Sequence, residues 1–304
     1  WAEFDAVEPG LLGSQRHFTR CYRTPIEKHG DGERQLRLNR RIGALMLRRR
    51  KDDVLTDLPS KIEILRTLEL EAGQRSLYET LRLAQHERVR QAVARRGLAG
   101  SGIIVIDALL KLRQACCDPR LVKLASAQKV KTSAKLAALI ELVENLRHDD
   151  RRILVFSQFT EMLALIGATL EKHHLPFESL TGQTPARERS ERVRRFQRGD
   201  FPIFLISLKA GGTGLNLTAA DTVIHYDPWW NPAVEAQATD RAHRIGQTKP
   251  VFVYRLICKG TVEEKIQAMQ ARKAGLAQAV LDGGGSTQRL RFDEGDLEAL
   301  FGNG

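Results

Sequence analysis

The stretch FPIFLISLKAGGTGLNLTAADTVIHYDPWWNPAVEAQATDRAHRIGQTKPVFVYRLI, Phe201 to Ile257, decides the fold. It holds three short apolar runs, FPIFLIS (Phe201 to Ser207), DTVIHYD (Asp221 to Asp227) and VFVYRLI (Val251 to Ile257). Each is nearly continuous rather than alternating, as in strands buried on both faces. A helical pattern separates the second run from the third. Strand, loop and helix in repetition predict a parallel sheet with helices on both faces, an α/β fold.

Working outward, the same alternation extends upstream to Ser133. Leu136, Leu139, Ile140, Val143 and Leu146 form one apolar helical face. ILVFS (Ile153 to Ser157) reads as a buried strand, and Met162, Leu165, Ile166 and Leu170 give the next helix. PFESLTG (Pro176 to Gly182) is strand-like. Thr184 followed by Pro185 predicts an N-cap with proline at the first helical position of a basic helix ending near Arg198. Further upstream, Lys61 to Leu70 alternates as a strand. A polar helix from Ala72 to Arg96 closes on a glycine-bearing turn, Gly97 to Gly102. A second helix runs through IDALLKLRQAC into a loop at Asp118-Pro119. Downstream, Thr261 and Glu264 have capping-box spacing and open a last helix with stripe Val262, Ile266, Met269, Leu276 and Val280. Gly283 to Gly285 end it. The expected organisation is a helical segment over 1–60, an α/β lobe over 61–282 with a helical protrusion at about 72–130, and a polar tail over 283–304.

The chain has 304 residues, 42% hydrophobic and 28% charged, with a net charge of +11 and a pI near 9.7. That excess suits a polyanionic partner, nucleic acid before membrane, though a merely basic enzyme would carry it too. No apolar run approaches the roughly 20 residues of a membrane span. Cys21, Cys116, Cys117 and Cys258 fit no zinc spacing, so no metal site is expected. The free thiols read as those of a reduced, intracellular protein.

Parallel sheets bind ligands at the carboxyl ends of their strands, and the unusual residues fall there. KAGGTGLNL (Lys209 to Leu217) removes three side chains at Gly211, Gly212 and Gly214. Backbone N–H groups can then approach a phosphate, with Thr213 and Asn216 adding polar contacts; the same residues would also make a plain glycine turn. In EAQATDRAHRIGQ (Glu235 to Gln247), a helix would place Gln237, Arg241 and Arg244 on one face, with Asp240 beside them. Paired guanidinium groups suit charge developing on a γ-phosphoryl group. A solvated charged face is the alternative. In DPWWNP (Asp227 to Pro232), one tryptophan can be core and the other can stack on a base or sugar.

These motifs in this order resemble motifs V and VI of the Swi/Snf family of superfamily-two helicase-like ATPases. ILVFSQF resembles the family's motif IV, and LTG its short following motif. LMLRRRKDDVLTDLPSK resembles the stretch linking the two motor lobes, and LRQACCDP the helical protrusion, with Asp118 where histidine is common. The opening FDAVEPGLLGSQRHF resembles the end of the first lobe. The resemblance covers nearly the whole chain. It implies a RecA-like second lobe carrying arginine fingers at Arg241 and Arg244, with Asp240 and Gln237 from the same motif. It implies coupling to nucleotide through Gly212, Gly214 and Asn216, and duplex-DNA contacts at Gln158, Thr181, Lys209, Thr213 and Trp230. ATP and Mg2+ would be held mainly by the first lobe, since this chain has no Gly-x4-Gly-Lys-Ser/Thr loop and no Asp-Glu pair after an apolar strand. Alone, it is expected to be inactive and to need no cofactor. The chain opens within a motif at Trp1, so the first lobe is expected upstream. Expected partners are double-stranded DNA, that first lobe and a DNA-bound protein complex, in the bacterial cytoplasm on nucleoid DNA or in a nucleus. Rival readings are an RNA-helicase lobe, which usually carries a different arginine motif, and a non-catalytic binding module, which has no need of paired fingers.

Overall fold

The structure, a computed structural model, describes residues 1–29, 31–43, 45, 58–211, 214–229, 231–281 and 294–302. The basic run Leu47 to Asp53, Gly212, Thr213, Trp230 and Gly283 to Gly285 lie outside them. The chain divides into two compact units, Trp1–Thr56 with Ala279–Ser286, and Asp57–Gln278 with Thr287–Gly304. In the first, short helices α1 (Ala2–Val7), α2 (Gln15–Phe18), α3 (Thr24–His29) and α4 (Gly32–Gly43) follow one another. Ser14 caps α2 by accepting from His17 N, and Trp1 Nε1 donates to Gly13 O at 2.7 Å.

The second unit is built on six parallel strands in the order β1-β6-β5-β2-β4-β3. They are β1 (Lys61–Leu68), β2 (Ile153–Ser157), β3 (Phe177–Leu180), β4 (Ile203–Ser207), β5 (Thr222–His225) and β6 (Val251–Cys258). Every residue of β2, β4 and β5 is buried, as their unbroken apolar runs require. On one face lie α6 (Ala134–His148) and α7 (Thr160–Lys172), whose Leu139, Val143, Met162 and Ile166 meet Ile153, Val155 and Leu205. On the other, Phe196 of α8 (Ala186–Arg198) and Ala238 of α10 (Pro232–Thr239) meet Leu154, Phe156 and Val223. The short α9 (Leu208–Gly211) follows β4.

The protrusion is α5, Ala72–Cys117, folded back on itself. Gln74 Nε2 donates to Ala115 O at 2.8 Å and Arg88 pairs with Asp107 at 2.5 Å, so its halves run antiparallel. The sequence predicts a six-residue turn, but the helix breaks at Gly97 alone. There φ is 67° and ψ 170°, a backbone that only glycine adopts without strain, and Ser101 Oγ donates back to Gly97 O at 2.8 Å. The segment read as a polar tail ends in a docked helix, α12 (Glu294–Phe301). Its Leu297, Leu300 and Phe301 are buried with Leu77 and Leu81 of α5 and Val262 and Ile266 of α11 (Val262–Leu281).

A buried ion pair joins these layers. Lys135 Nζ lies 2.7 Å from Glu263 Oε1 and donates to Tyr226 O at 2.9 Å, and neither charged side chain is exposed. Cys258 N donates to the other carboxylate oxygen at 3.0 Å. Breaking such a pair leaves a desolvated charge without its partner. Lys135→Met is therefore expected to cost about 3–5 kcal/mol in urea unfolding followed by circular dichroism. A loss below about 1 kcal/mol would contradict the assignment.

Candidate functional site

The strand ends at the carboxyl edge are adjacent in the order β5, β2, β4, β3. They bring together the loop Asp227 to Trp229, Gln158, Lys209 and Thr181. Lys209 is exposed and makes no ion pair among the described residues. Thr181 sits in a turn built by its neighbours. Its N–H donates to Thr184 Oγ1 at 3.0 Å, and Arg189 donates to Thr181 O and Thr184 O, each at 3.0 Å. Thr184 therefore does not cap α8 as its sequence suggests: its hydroxyl is spent on Thr181, and the helix starts at Ala186 behind Pro185. Gln158 is half-buried, and its Nε2 is buried without a hydrogen-bond partner.

The loop after β5 is held from several elements. Trp229 N donates to Glu235 Oε1 at 2.7 Å, and Gln270 Nε2 donates to Trp229 O at 2.6 Å. Glu235 is buried; its other oxygen accepts from Arg255 Nε at 3.0 Å, and Arg255 Nη1 reaches Glu63 Oε2 at 2.7 Å. Asp227 is fully buried, and its Oδ2 accepts from Gln158 N at 3.2 Å. Burial pushes the Asp227 carboxyl up to about 6, against the pull of Arg113 beside it. One turn further along α10, Thr239 Oγ1 lies 2.9 Å from His225 Nε2.

Asn231 caps α10, accepting from Ala233 N with Pro232 at the first helical position, and the helix stops at Thr239. Gln237, Arg241 and Arg244 therefore do not share one helical face. Gln237 is exposed on α10, and Asp240 is its C-cap. Beyond it the chain makes tight turns, with Arg241 N donating to Ala238 O at 3.1 Å and Ala242 N to Thr239 O at 3.0 Å. Leu217 N donates to Arg241 O at 2.9 Å, and Arg244 Nη1 to Leu215 O at 3.5 Å. This arginine turn leads directly into β6, at the amino edge of the sheet. Gly214 and Asn216 are exposed in the segment it touches.

What holds the turn is Gln247. Its buried Nε2 lies 3.1 Å from Thr218 O, 2.7 Å from Ala220 O and 3.1 Å from Ala242 O. Its Oε1 accepts from Thr248 N and Lys249 N, both at 3.0 Å. Gly246 supplies the left-handed step, φ 97°, that turns the chain toward it. Arg241 and Arg244 form no ion pair among the described residues, and Arg241 Nε is buried with no partner. The arginines of α8 are spent differently. Arg192 and Arg195 pair with Glu178, Arg194 with Glu191, and Arg198 with Asp200.

With this geometry in view, comparison with known proteins is decisive. Residues 1–121 match the SNF2-related domain, and residues 134–246 the helicase conserved C-terminal domain. The chain belongs to the Swi/Snf family of helicase-like ATPases. It is 39% identical over 306 residues to YwqA of Bacillus subtilis, whose name assigns it to the ATP-dependent helicases/translocases. That alignment covers 99% of this chain but 32% of the relative. The Sulfolobus solfataricus SWI2/SNF2 ATPase core in complex with dsDNA matches over 100% of this chain and 64% of that one, at 31% identity and TM-score 0.65. The C-terminal domain of the same ATPase is matched over its whole length and 81% of this chain, at 27% identity and TM-score 0.62. The SNF2-related match runs past Asp57 into β1 and α5, which belong structurally to the sheet unit.

The donors present do not suit Mg2+. Among the described residues, the side chains close enough to share a metal ion are Cys116, Cys258 and Glu263. Two are soft thiols, and both Glu263 oxygens are already bonded to Lys135 and Cys258 N, whereas Mg2+ takes hard oxygen ligands in octahedral array.

Sequence reasoning missed Gln247, Glu235 and Thr239 because each acts on a distant backbone group or side chain. Gln247→Leu removes two acceptor bonds and strands carbonyls in the core. The amides of Leu217, Thr248 and Lys249 are expected to exchange hydrogen at least about tenfold faster in this variant. Unchanged protection would contradict the role. Burial pulls His225 from 6.5 down to about 4. Between those values the unfolded chain takes up a proton that the native state refuses, so stability falls as pH drops. His225→Gln is expected to remove about 1.4 kcal/mol per pH unit from that slope in unfolding measured from pH 6.5 to 4.

Proposed function

We propose that this chain is the second motor lobe of an ATP-dependent double-stranded-DNA translocase, supplying arginine fingers and part of the DNA track. One observation carries the reading. Most guanidinium groups of α8 are bound to carboxylates, whereas Arg241 and Arg244 form no ion pair among the described residues and sit on a turn pinned by Gln247. Unpaired cations held rigidly are what a developing γ-phosphoryl charge needs. Asp240 and Gln237 flank that turn, and Gly212, Gly214 and Asn216 lie in the segment joining it to β4. ATP and Mg2+ would be held by the first lobe, so the arginines act only once that lobe has placed the phosphates within reach.

Lys209, Thr181 and the tryptophan loop, together with Thr213 and Trp230 in the same chain segments, would meet the DNA backbone at the carboxyl edge. The +11 charge supports a phosphate-directed, sequence-independent grip, and the matched Sulfolobus core is one in complex with dsDNA. Closing and opening of the lobes around each nucleotide would then advance them along the duplex.

In the full-length protein, Arg241→Ala or Arg244→Ala is expected to lower DNA-stimulated ATP turnover by about 10³-fold or more. Nucleotide affinity should persist, because it rests on the first lobe. Near-wild-type turnover in both variants would overturn the finger assignment. Stronger stimulation by duplex RNA than by duplex DNA would favour the RNA-helicase reading.

A further inference from the structure

Arg113 lies in the second half of α5 and is 1% exposed, yet no catalytic motif contains it. Its Nη2 lies 3.4 Å from Asp227 Oδ2 and also donates to Pro228 O. The guanidinium carbon stands 5.5 Å from the Trp229 ring centroid and 5.8 Å from that of Phe159. One side chain of the protrusion thus grips the carboxylate, the next carbonyl and the next ring of the loop after β5. The cluster is incompletely satisfied: Arg113 Nε, Gln158 Nε2 and Asp227 Oδ1 are buried with no hydrogen-bond partner. Such a nest costs stability that an apolar core would not. A hydrophobic residue at 113 would fill the space but could not fix the loop's direction.

We infer that Arg113 is a positioning residue through which the helical protrusion sets the loop Asp227 to Trp229 for gripping the duplex-DNA backbone. The inference rests on the reading of the carboxyl edge as the DNA track. Two features support a directional role over a merely stabilising one. A single nitrogen, Nη2, meets both Asp227 and Pro228 while the planar guanidinium lies over the rings of Trp229 and Phe159, a stacking contact that an ammonium group does not reproduce. Gln158 N also holds Asp227, and Glu235 and Gln270 bond only the Trp229 backbone. The Trp229 side chain also packs against the apolar cluster that holds Phe156 and Val223, and Arg113 supplies its described cation contact.

The test uses the full-length protein labelled with fluorotryptophan. Arg113→Lys keeps the buried charge, so it should fold, but it loses the planar group that lies over the Trp229 ring. The Trp229 fluorine resonance is expected to move, and the duplex DNA concentration for half-maximal ATPase to rise about tenfold. Turnover at saturating DNA and KM for ATP are expected to stay put. Arg113→Met with Asp227→Asn removes both charges together and is expected to raise the DNA requirement at least as much. Trp230→Ala serves as the control for the track itself. If it raises the DNA requirement and neither Arg113 variant does, the inference is overturned. If none of the three raises it while the Trp229 resonance moves in Arg113→Lys, the track reading fails. The moved resonance would then still support Arg113 as the residue that sets the loop.

Discussion

The carboxylate of Glu235 is buried, and both its oxygens are taken: one by the Trp229 amide at 2.7 Å, the other by Arg255 Nε at 3.0 Å. A buried carboxylate is tolerated only when paired in this way. Four residues on, Thr239 meets His225. These side chains rise from one face of α10 and lash it to the end of β5, so the helix has one possible placement. Its start then lies beside the tryptophan loop, and its end delivers the chain to the arginine turn. The two groups of candidate functional residues, at opposite edges of the sheet, are thus joined by eight residues of helix whose position is fixed from within.

The distribution of charge follows the same economy. The chain is strongly basic, but part of that charge is buried or answered by nearby acids. Arg113 and Lys135 are buried against Asp227 and Glu263, and α8 answers its own acids and those of its neighbours. Arg189 bonds backbone carbonyls to shape the Thr181 turn. A count of basic residues therefore overstates the surface open to a polyanion. Lys209 on one edge and Arg241 and Arg244 on the other are among the cations with no ion pair among the described residues.

Most of the fold was legible in the sequence because it rests on local periodicity. All six strands appear as unbroken or alternating apolar runs, and the buried face Leu136, Leu139, Ile140, Val143 and Leu146 stands at helical spacing. The misreadings have other causes. Arg241 and Arg244 have helical spacing from Gln237, but Gln247 draws the backbone out of the helix by bonds to Thr218 and Ala220, which lie 29 and 27 residues away in sequence. Thr184 has the chemistry of a cap, but its hydroxyl is claimed by Thr181. The glycine turn proved shorter than its composition because one left-handed residue suffices to reverse a helix. At the arginine turn a contact between distant positions overrides a sound local rule, whereas at Thr184 the competing bond lies three residues away.

The account's central claim is that one lobe presents two unlike surfaces, an arginine turn for nucleotide and a carboxyl edge for duplex. The most direct measurement is the structure of the full-length protein bound to duplex DNA with ADP and aluminium fluoride as transition-state mimic. The account predicts the guanidinium groups of Arg241 and Arg244 against the fluoride, with Lys209 and Thr181 beside a DNA strand. An arginine turn left in solvent, or DNA lying away from the ends of β2 to β5, would contradict it.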